Sequence, residues 1–171
     1  MLIRQATLAD THTLSALSAE TFVQAFGPLY PPKDLQDFLG TAYAPAKQAQ
    51  AIAAPGCAVF LLEDDAGRAV GYAAVGPCGL PHDDVRDGDG ELKRLYLLRD
   101  VQNGGWGGRL FDAAIEWLQH DGPRRIWIGV YSENHGAQRF YQRRGWRKVG
   151  EYHFPVGTVR DLEWILRKDC A

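Results

Sequence analysis

Leu95-Tyr96-Leu97-Leu98-Arg99-Asp100-Val101-Gln102-Asn103-Gly104-Gly105-Trp106-Gly107-Gly108-Arg109-Leu110 reads as a strand that runs into a glycine-dense turn, with a helix following at once. Glycines let backbone approach a ligand closely, and the first N–H groups of a helix have no partner within it. With the helix dipole added, such a junction is an anion site suited to a pyrophosphate. Two well-known phosphate motifs fail here on spacing. A P-loop requires G-x-x-x-x-G-K-[ST], and no Lys followed by Ser or Thr lies nearby. A dinucleotide fingerprint starting at Gly105-Trp106-Gly107 requires glycine where Leu110 stands.

On either side, the apolar periodicity alternates between helix and strand. Leu14, Leu17, Phe22 and Ala25 keep helical spacing until Gly27-Pro28, and Leu35, Phe38, Leu39 and Ala42 mark a second helix. A third runs from Pro45 to Ala54. Residues 2–6, 58–62, 70–75, 91–98 and 126–130 read as strands, with a hairpin turn at Asp64-Asp65-Ala66-Gly67. Leu110, Phe111, Ala114, Trp117 and Leu118 trace one helical face. A short helix carries Phe140 and Tyr141, and strands at about 146–153 and 159–167 end the chain. Residues 76–90 form a polar, glycine- and aspartate-rich loop. With no repeat, linker or low-complexity tract in 171 residues, one α/β domain over 1–171 is the simplest organisation.

Composition excludes several classes. Apolar residues are 46% and charged residues 23%, with a formal charge of −2 and no basic block, so the footprint of a nucleic-acid binder is missing. No apolar stretch is long enough to cross a bilayer, and the start has no signal-like segment. Cys57, Cys78 and Cys170 are too few for a disulfide framework and read as reduced thiols of a cytoplasmic protein. His12, His82, His120, His135 and His153 show no metal-ligand spacing, so no metal is expected.

One spacing does fit the glycine turn. Gln102-Asn103-Gly104-Gly105-Trp106-Gly107, directly after a strand, resembles the Q/R-x-x-G-x-G/A acetyl-CoA motif of the GNAT N-acetyltransferase superfamily. Asn134-His135-Gly136-Ala137-Gln138-Arg139-Phe140-Tyr141-Gln142-Arg143-Arg144-Gly145-Trp146, 32 residues downstream of Gln102, is similar to that superfamily's N-x-x-A-x-x-F-Y-x-x-x-G-F, with Trp for the last Phe. Glu20-Thr21-Phe22, Glu91-Leu92-Lys93-Arg94-Leu95-Tyr96-Leu97 and Ile126-Trp127-Ile128-Gly129-Val130 resemble the PaiA-type spermidine/spermine branch. Three residues depart from the pattern. Asn103 stands where Gly is frequent, Trp106 replaces a small aliphatic residue, and Arg99 stands where Pro is frequent. None of the three removes a backbone N–H.

The resemblance implies a mixed, twisted and splayed sheet of about seven strands flanked by helices. It implies acetyl-CoA as co-substrate, its pantetheine arm against backbone near Leu95 and Leu97 and its pyrophosphate on the amides of Gln102, Asn103, Gly104, Gly105, Trp106, Gly107 and Gly108. Arg109 would add charge, and Asn134 would hold the cofactor arm or simply cap its helix. Tyr141 would assist the departing thiolate, and Glu91 would act as base, through water, or orient the substrate. The acceptor would be a small-molecule amine, a polyamine in the nearest branch. Asp83, Asp84, Asp87 and Asp89 would then make an anionic rim before Glu91. An aminoglycoside, an amino acid or a protein N-terminus is an alternative acceptor, and a non-catalytic acyl-CoA-binding module a rival of another class. A homodimer is an option that the resemblance leaves open.

Overall fold

In the computed structural model, which describes residues 1–169, the chain order is β1 (Leu2–Gln5), α1 (Thr11–Phe26), α2 (Pro32–Ala42), α3 (Pro45–Ala53), β2 (Ala58–Glu63), β3 (Ala69–Pro77), β4 (Gly90–Leu97), α4 (Trp106–Leu118), β5 (Ile126–Tyr131), α5 (His135–Arg143), β6 (Arg147–Val156) and β7 (Val159–Lys168). Cys170 lies outside the described residues. Pro32 and Pro45 occupy first helical positions, where a missing N–H costs nothing. The closing hairpin is longer than expected, and β3 extends to Pro77, shortening the loop that follows.

All seven strands form one sheet in the order β1-β2-β3-β4-β5-β7-β6. Every neighbouring pair is antiparallel except β4 and β5. That parallel ladder is short: Gly90, Glu91 and Leu92 pair with Ile126, Trp127 and Ile128, and there it stops. Beyond this point β4 continues to Leu97 and β5 to Tyr131 without pairing to each other, so the sheet is split along its middle.

The core fills in around that split. Leu110, Phe111, Ala114 and Leu118 on α4, Leu14 and Leu17 on α1, and Leu61, Leu62, Val70, Ile126, Ile128 and Leu166 from the strands are all buried. Tyr96 points toward Phe26 of α1, with ring centroids 6.2 Å apart, while its neighbour Leu97 faces Gly107 of α4. Adjacent strand residues point to opposite faces, so α1 and α4 cover opposite faces of β4.

Inside β4 the register slips by one. Leu92 pairs with Val75 and Arg94 with Ala74, which leaves Lys93 as the extra residue of a β-bulge. Without the bulge, Glu91 and Arg94 would point to opposite faces. With it, Glu91, Arg94 and Tyr96 share the α1 face, and Leu92, Leu95 and Leu97 share the other. Regular alternation would set Lys93 in register with Glu91; the bulge puts Arg94 there.

Candidate active site

Two cavities open at the split. The larger, about 650 Å³, is lined by Leu95, Leu97, Gln102, Asn103, Gly107, Asn134 and Tyr141, together with residues of α1. Its floor is the turn between β4 and α4. Gly105 caps α4 in the left-handed region, at φ 79°, and Asn103 has φ 65°, a conformation that Asn tolerates better than other non-glycine residues. The Gln102 side chain donates to the Leu97 carbonyl at 3.0 Å, tying the turn back to its strand. Arg99, where the pattern often has Pro, donates from its backbone N–H to the Gln24 side chain at 2.8 Å and from its guanidinium to the Gln24 carbonyl at 2.6 Å. These bonds clasp the turn to α1.

Asn134 caps its helix, as the sequence allows, and it also borders the cavity. Its Oδ1 accepts the Ala137 N–H at 3.1 Å, and its amide N–H₂ has no partner among the described residues. Tyr141, on the same short helix, is buried beside Phe111 and Phe140. Burial pushes its phenol well above the ordinary range, so the hydroxyl stays protonated at any physiological pH. Among the described residues no protein group hydrogen-bonds that hydroxyl. Gly104, Gly105, Trp106 and Gly108 shape the turn without lining the cavity, and Arg109 stacks 4.5 Å over the Trp106 ring.

The smaller cavity, about 260 Å³, lies on the α1 face. Phe26, Tyr96 and Tyr131 line both spaces and form the wall where they meet, with Phe26 edge-on to the two tyrosines. Phe22, Tyr30, Phe38, Tyr43, Tyr152 and Phe154 complete an aromatic lining. Glu91 reaches in from β4, but its Oε2 accepts the Gly79 N–H at 2.8 Å and pairs with the Lys93 ammonium at 2.9 Å. Asp161 and Glu163 reach in from β7, accepting hydrogen bonds from the Tyr30 and Tyr152 hydroxyls. Arg94 sits over the Tyr43 ring at 5.1 Å and pairs with no carboxylate among the described residues. Gly129 opens the space: a methyl group there would stand 2.8 Å from the Tyr152 hydroxyl and 3.1 Å from Glu163 Oε2.

The loop aspartates do not line either cavity, which overturns the expected rim. Asp89 is buried, pairs with Arg125 at 2.9 Å and accepts the Trp127 indole N–H at 2.8 Å, clamping the loop to β5. Asp84 pairs with Arg167 at 3.0 Å, and Asp83 and Asp87 face outward. The acids of the cavity are instead Glu91, Asp161 and Glu163. Asp161 and Glu163 bear no motif of their own, and the β6–β7 hairpin far along the chain draws them in. Cys78 is partly buried, and burial raises its thiol to about 11, too high for a nucleophile at neutral pH. No group of three His, Cys, Asp or Glu side chains able to hold a metal forms among the described residues. No described helix is long and apolar enough to cross a membrane.

Comparison with known proteins bears on this geometry. The profile of the acetyltransferase (GNAT) family matches residues 19–146. An uncharacterized N-acetyltransferase of Lactobacillus delbrueckii subsp. lactis is 31% identical over 166 residues, covering 97% of this chain and 95% of its own. One from Mycobacterium tuberculosis is 30% identical, covering 96% of this chain and all of its own. Among solved structures, the PaiA N-acetyltransferase of Thermoplasma acidophilum in complex with coenzyme A superposes with a TM-score of 0.77 at 17% identity, covering 98% of both chains. The ribosomal-protein-S18-alanine N-acetyltransferase of Escherichia coli gives 0.70 at 17% identity, over 99% of this chain and 94% of its own. Those two neighbours carry different descriptions on one fold, so the fold alone does not choose an acceptor. The split sheet, the glycine turn and these matches lead to one conclusion: the chain belongs to the acetyltransferase (GNAT) family and is an acetyl-CoA-dependent N-acetyltransferase.

Proposed function

We propose that the protein moves the acetyl group of acetyl-CoA directly to the primary amine of a small cationic molecule, with a polyamine such as spermidine or spermine as the favoured acceptor. The observation that carries this reading is the meeting of two cavities of different character at Phe26, Tyr96 and Tyr131. One borders the glycine turn and the start of α4, whose first N–H groups have no partner within the helix, as an acyl-CoA needs, and the other is aromatic and edged with carboxylates, as an ammonium needs. Asp161 and Glu163 accept from neutral hydroxyls, and neither is ion-paired with a cation among the described residues. Aromatic faces add roughly 0.5–2 kcal/mol of attraction for a desolvated cation.

In this reading the neutral amine attacks the thioester carbonyl, which a backbone N–H near Leu95 polarises, and no acyl-enzyme forms. Leu95 and Leu97 line the pantetheine arm, and residues 102–108 hold the pyrophosphate, with Arg109 adding charge at the mouth. Asn134 offers its unused amide N–H₂ to the arm. Tyr141 hydrogen-bonds the departing thiolate. A phenol of pKa about 10 facing a thiol near 8.5 already makes full proton transfer uphill by roughly 2 kcal/mol, and burial steepens it, so donation rather than early transfer is the phenol's task. Glu91, already paired with Lys93, orients the acceptor. Both cavities are lined within one chain, so the reading holds for a monomer and for the homodimer that the resemblance suggests. Free cysteines fit a cytoplasmic setting, where thiols stay reduced.

Arg94 favours a second reading. A guanidinium without a carboxylate partner in the acceptor cavity suits an acceptor that carries its own carboxylate, such as an amino acid. A thiol-release assay with acetyl-CoA over spermidine, spermine, a monoamine, an aminoglycoside and amino acids separates these. The polyamines are expected to give the highest kcat/KM, falling as salt rises. A preference for amino acids moves the assignment to the second reading, and silence with every amine removes the small-amine reading.

A further inference from the structure

We infer that Glu163 of β7, held by the Tyr152 hydroxyl and set over the bare backbone of Gly129, is the group that takes the proton from the bound ammonium. This rests on the transferase reading and assigns the base within it. Glu163 lies opposite Tyr131 in the β5–β7 ladder, and Tyr131 lines both cavities, so the carboxylate belongs to the end where acceptor and thioester meet. The Tyr152 hydroxyl donates to Glu163 Oε2 at 2.5 Å, and Oε1 has no partner among the described residues. No cation pairs with Glu163 among the described residues. Glu91, by contrast, pairs with Trp127 at the closed end of the split, and its Oε2 is taken up by the Lys93 ammonium and the Gly79 N–H. Two donors already engage Glu91, whereas Glu163 is desolvated and has no paired cation among the described residues, which leaves it the better placed of the two to take a proton. Burial pushes the Glu163 carboxyl above the ordinary range, partly opposed by the Tyr152 hydrogen bond.

Protons balance along this route. The ammonium gives one N–H proton to Glu163, which passes it to solvent, and the freed lone pair forms the C–N bond as the C–S bond breaks. The second N–H proton leaves the new amide and is matched by the one that the thiolate gains at Tyr141. Each turnover thus converts ammonium and thioester into amide, thiol and one released proton.

The charged and titratable groups that line this cavity with Glu163 are Tyr152 on β6, Tyr131 on β5, Glu91, Lys93, Arg94 and Tyr96 on β4, and Asp161 with Tyr30 and Tyr43. Glu163→Gln keeps the acceptor for the Tyr152 hydroxyl and removes only the base. The test follows kcat/KM for the best amine from about pH 7 to about pH 9, below the amine's own pKa of about 10. The parent, which uses the ammonium, should give a level profile. Glu163→Gln should fall about 10²-fold at neutral pH and climb tenfold per pH unit, because it can use only amine that is already free. Its melting temperature and its stabilisation by acetyl-CoA should match the parent's, which shows the variant folded. Glu91→Gln should raise KM and stay level. A level profile for Glu163→Gln, or a climbing one for Glu91→Gln, overturns the assignment while the transferase reading stands. A parent inactive toward every amine overturns that reading first, and the assignment with it.

Discussion

At Gly107 an added Cβ would stand 3.7 Å from Leu97 Cδ1, an ordinary contact, and the backbone there is not left-handed. Gly107→Val should therefore fold, while its side chain fills space between the helix start and β4. Affinity for acetyl-CoA is expected to drop tenfold or more, about 1.4 kcal/mol per tenfold, as titration calorimetry would read. Unchanged affinity would reduce this glycine to a packing role. Gly105 makes a poorer test, since its φ of 79° strains any side chain. Tyr141→Phe removes a hydroxyl that no described protein group engages, so stability should hold. If that hydroxyl meets the thiolate, kcat falls roughly 10²-fold with KM for acetyl-CoA nearly constant; full activity would return Tyr141 to the core. Both residues were legible in the sequence because their signal is local: a glycine spacing in one case, an Asn-to-Tyr spacing within one helix in the other. Asp161 and Glu163 carried no such mark.

Among elements, β4 decides how the two cavities divide the work, through its bulge at Lys93. Alternation along Glu91 to Leu97 predicts Glu91 and Arg94 on opposite faces, and the inserted residue reverses that. A bulge leaves little trace in local periodicity, because it answers to the partner strand, here Ala74-Val75 of β3. The helices and most strands were readable because their apolar spacing and flanking Gly and Pro are short-range. The aromatic cavity was not, since Phe22, Phe38 and Phe154 come from three elements, and each looks like a core residue of its own. Asp89 was misread for a similar reason: nearness to Glu91 in the chain suggested a shared rim, whereas Arg125 and Trp127 claim it. On β5, Gly129→Ala would press a methyl against Tyr152 and Glu163. The amine KM should rise about tenfold, some 1.4 kcal/mol, with acetyl-CoA affinity nearly unchanged. Michaelis curves in each substrate decide it, and an unaltered amine KM would mean that Glu163 does not reach the acceptor.

The molecule as a whole buries several phenols. Tyr43, Tyr72 and Tyr141 are each held above the ordinary range, chiefly by burial, and the Tyr72 hydroxyl has no hydrogen-bond partner among the described residues. A group whose pKa is raised on folding stabilises the fold fully below its unfolded value and loses that contribution above it. Melting temperature should hold as pH approaches about 10 and fall beyond it, with phenolate absorbance appearing only as the chain unfolds. Phenolate absorbance from these residues in a still-folded protein would show them solvated. The split in the sheet has its own consequence at this scale. The β4–β5 ladder ends after three residue pairs, so backbone groups of β4 after Leu92 and of β5 after Ile128 face each other with no strand between them. An acyl-CoA arm lying there would close the ladder as a non-peptide strand. In deuterated water, the amides of residues 93–97 and 129–131 that face the gap should exchange quickly in the free protein and slow down when acetyl-CoA is added, so that the isotope content of a few peptides at the centre of the sheet becomes a gauge of how often the site is filled.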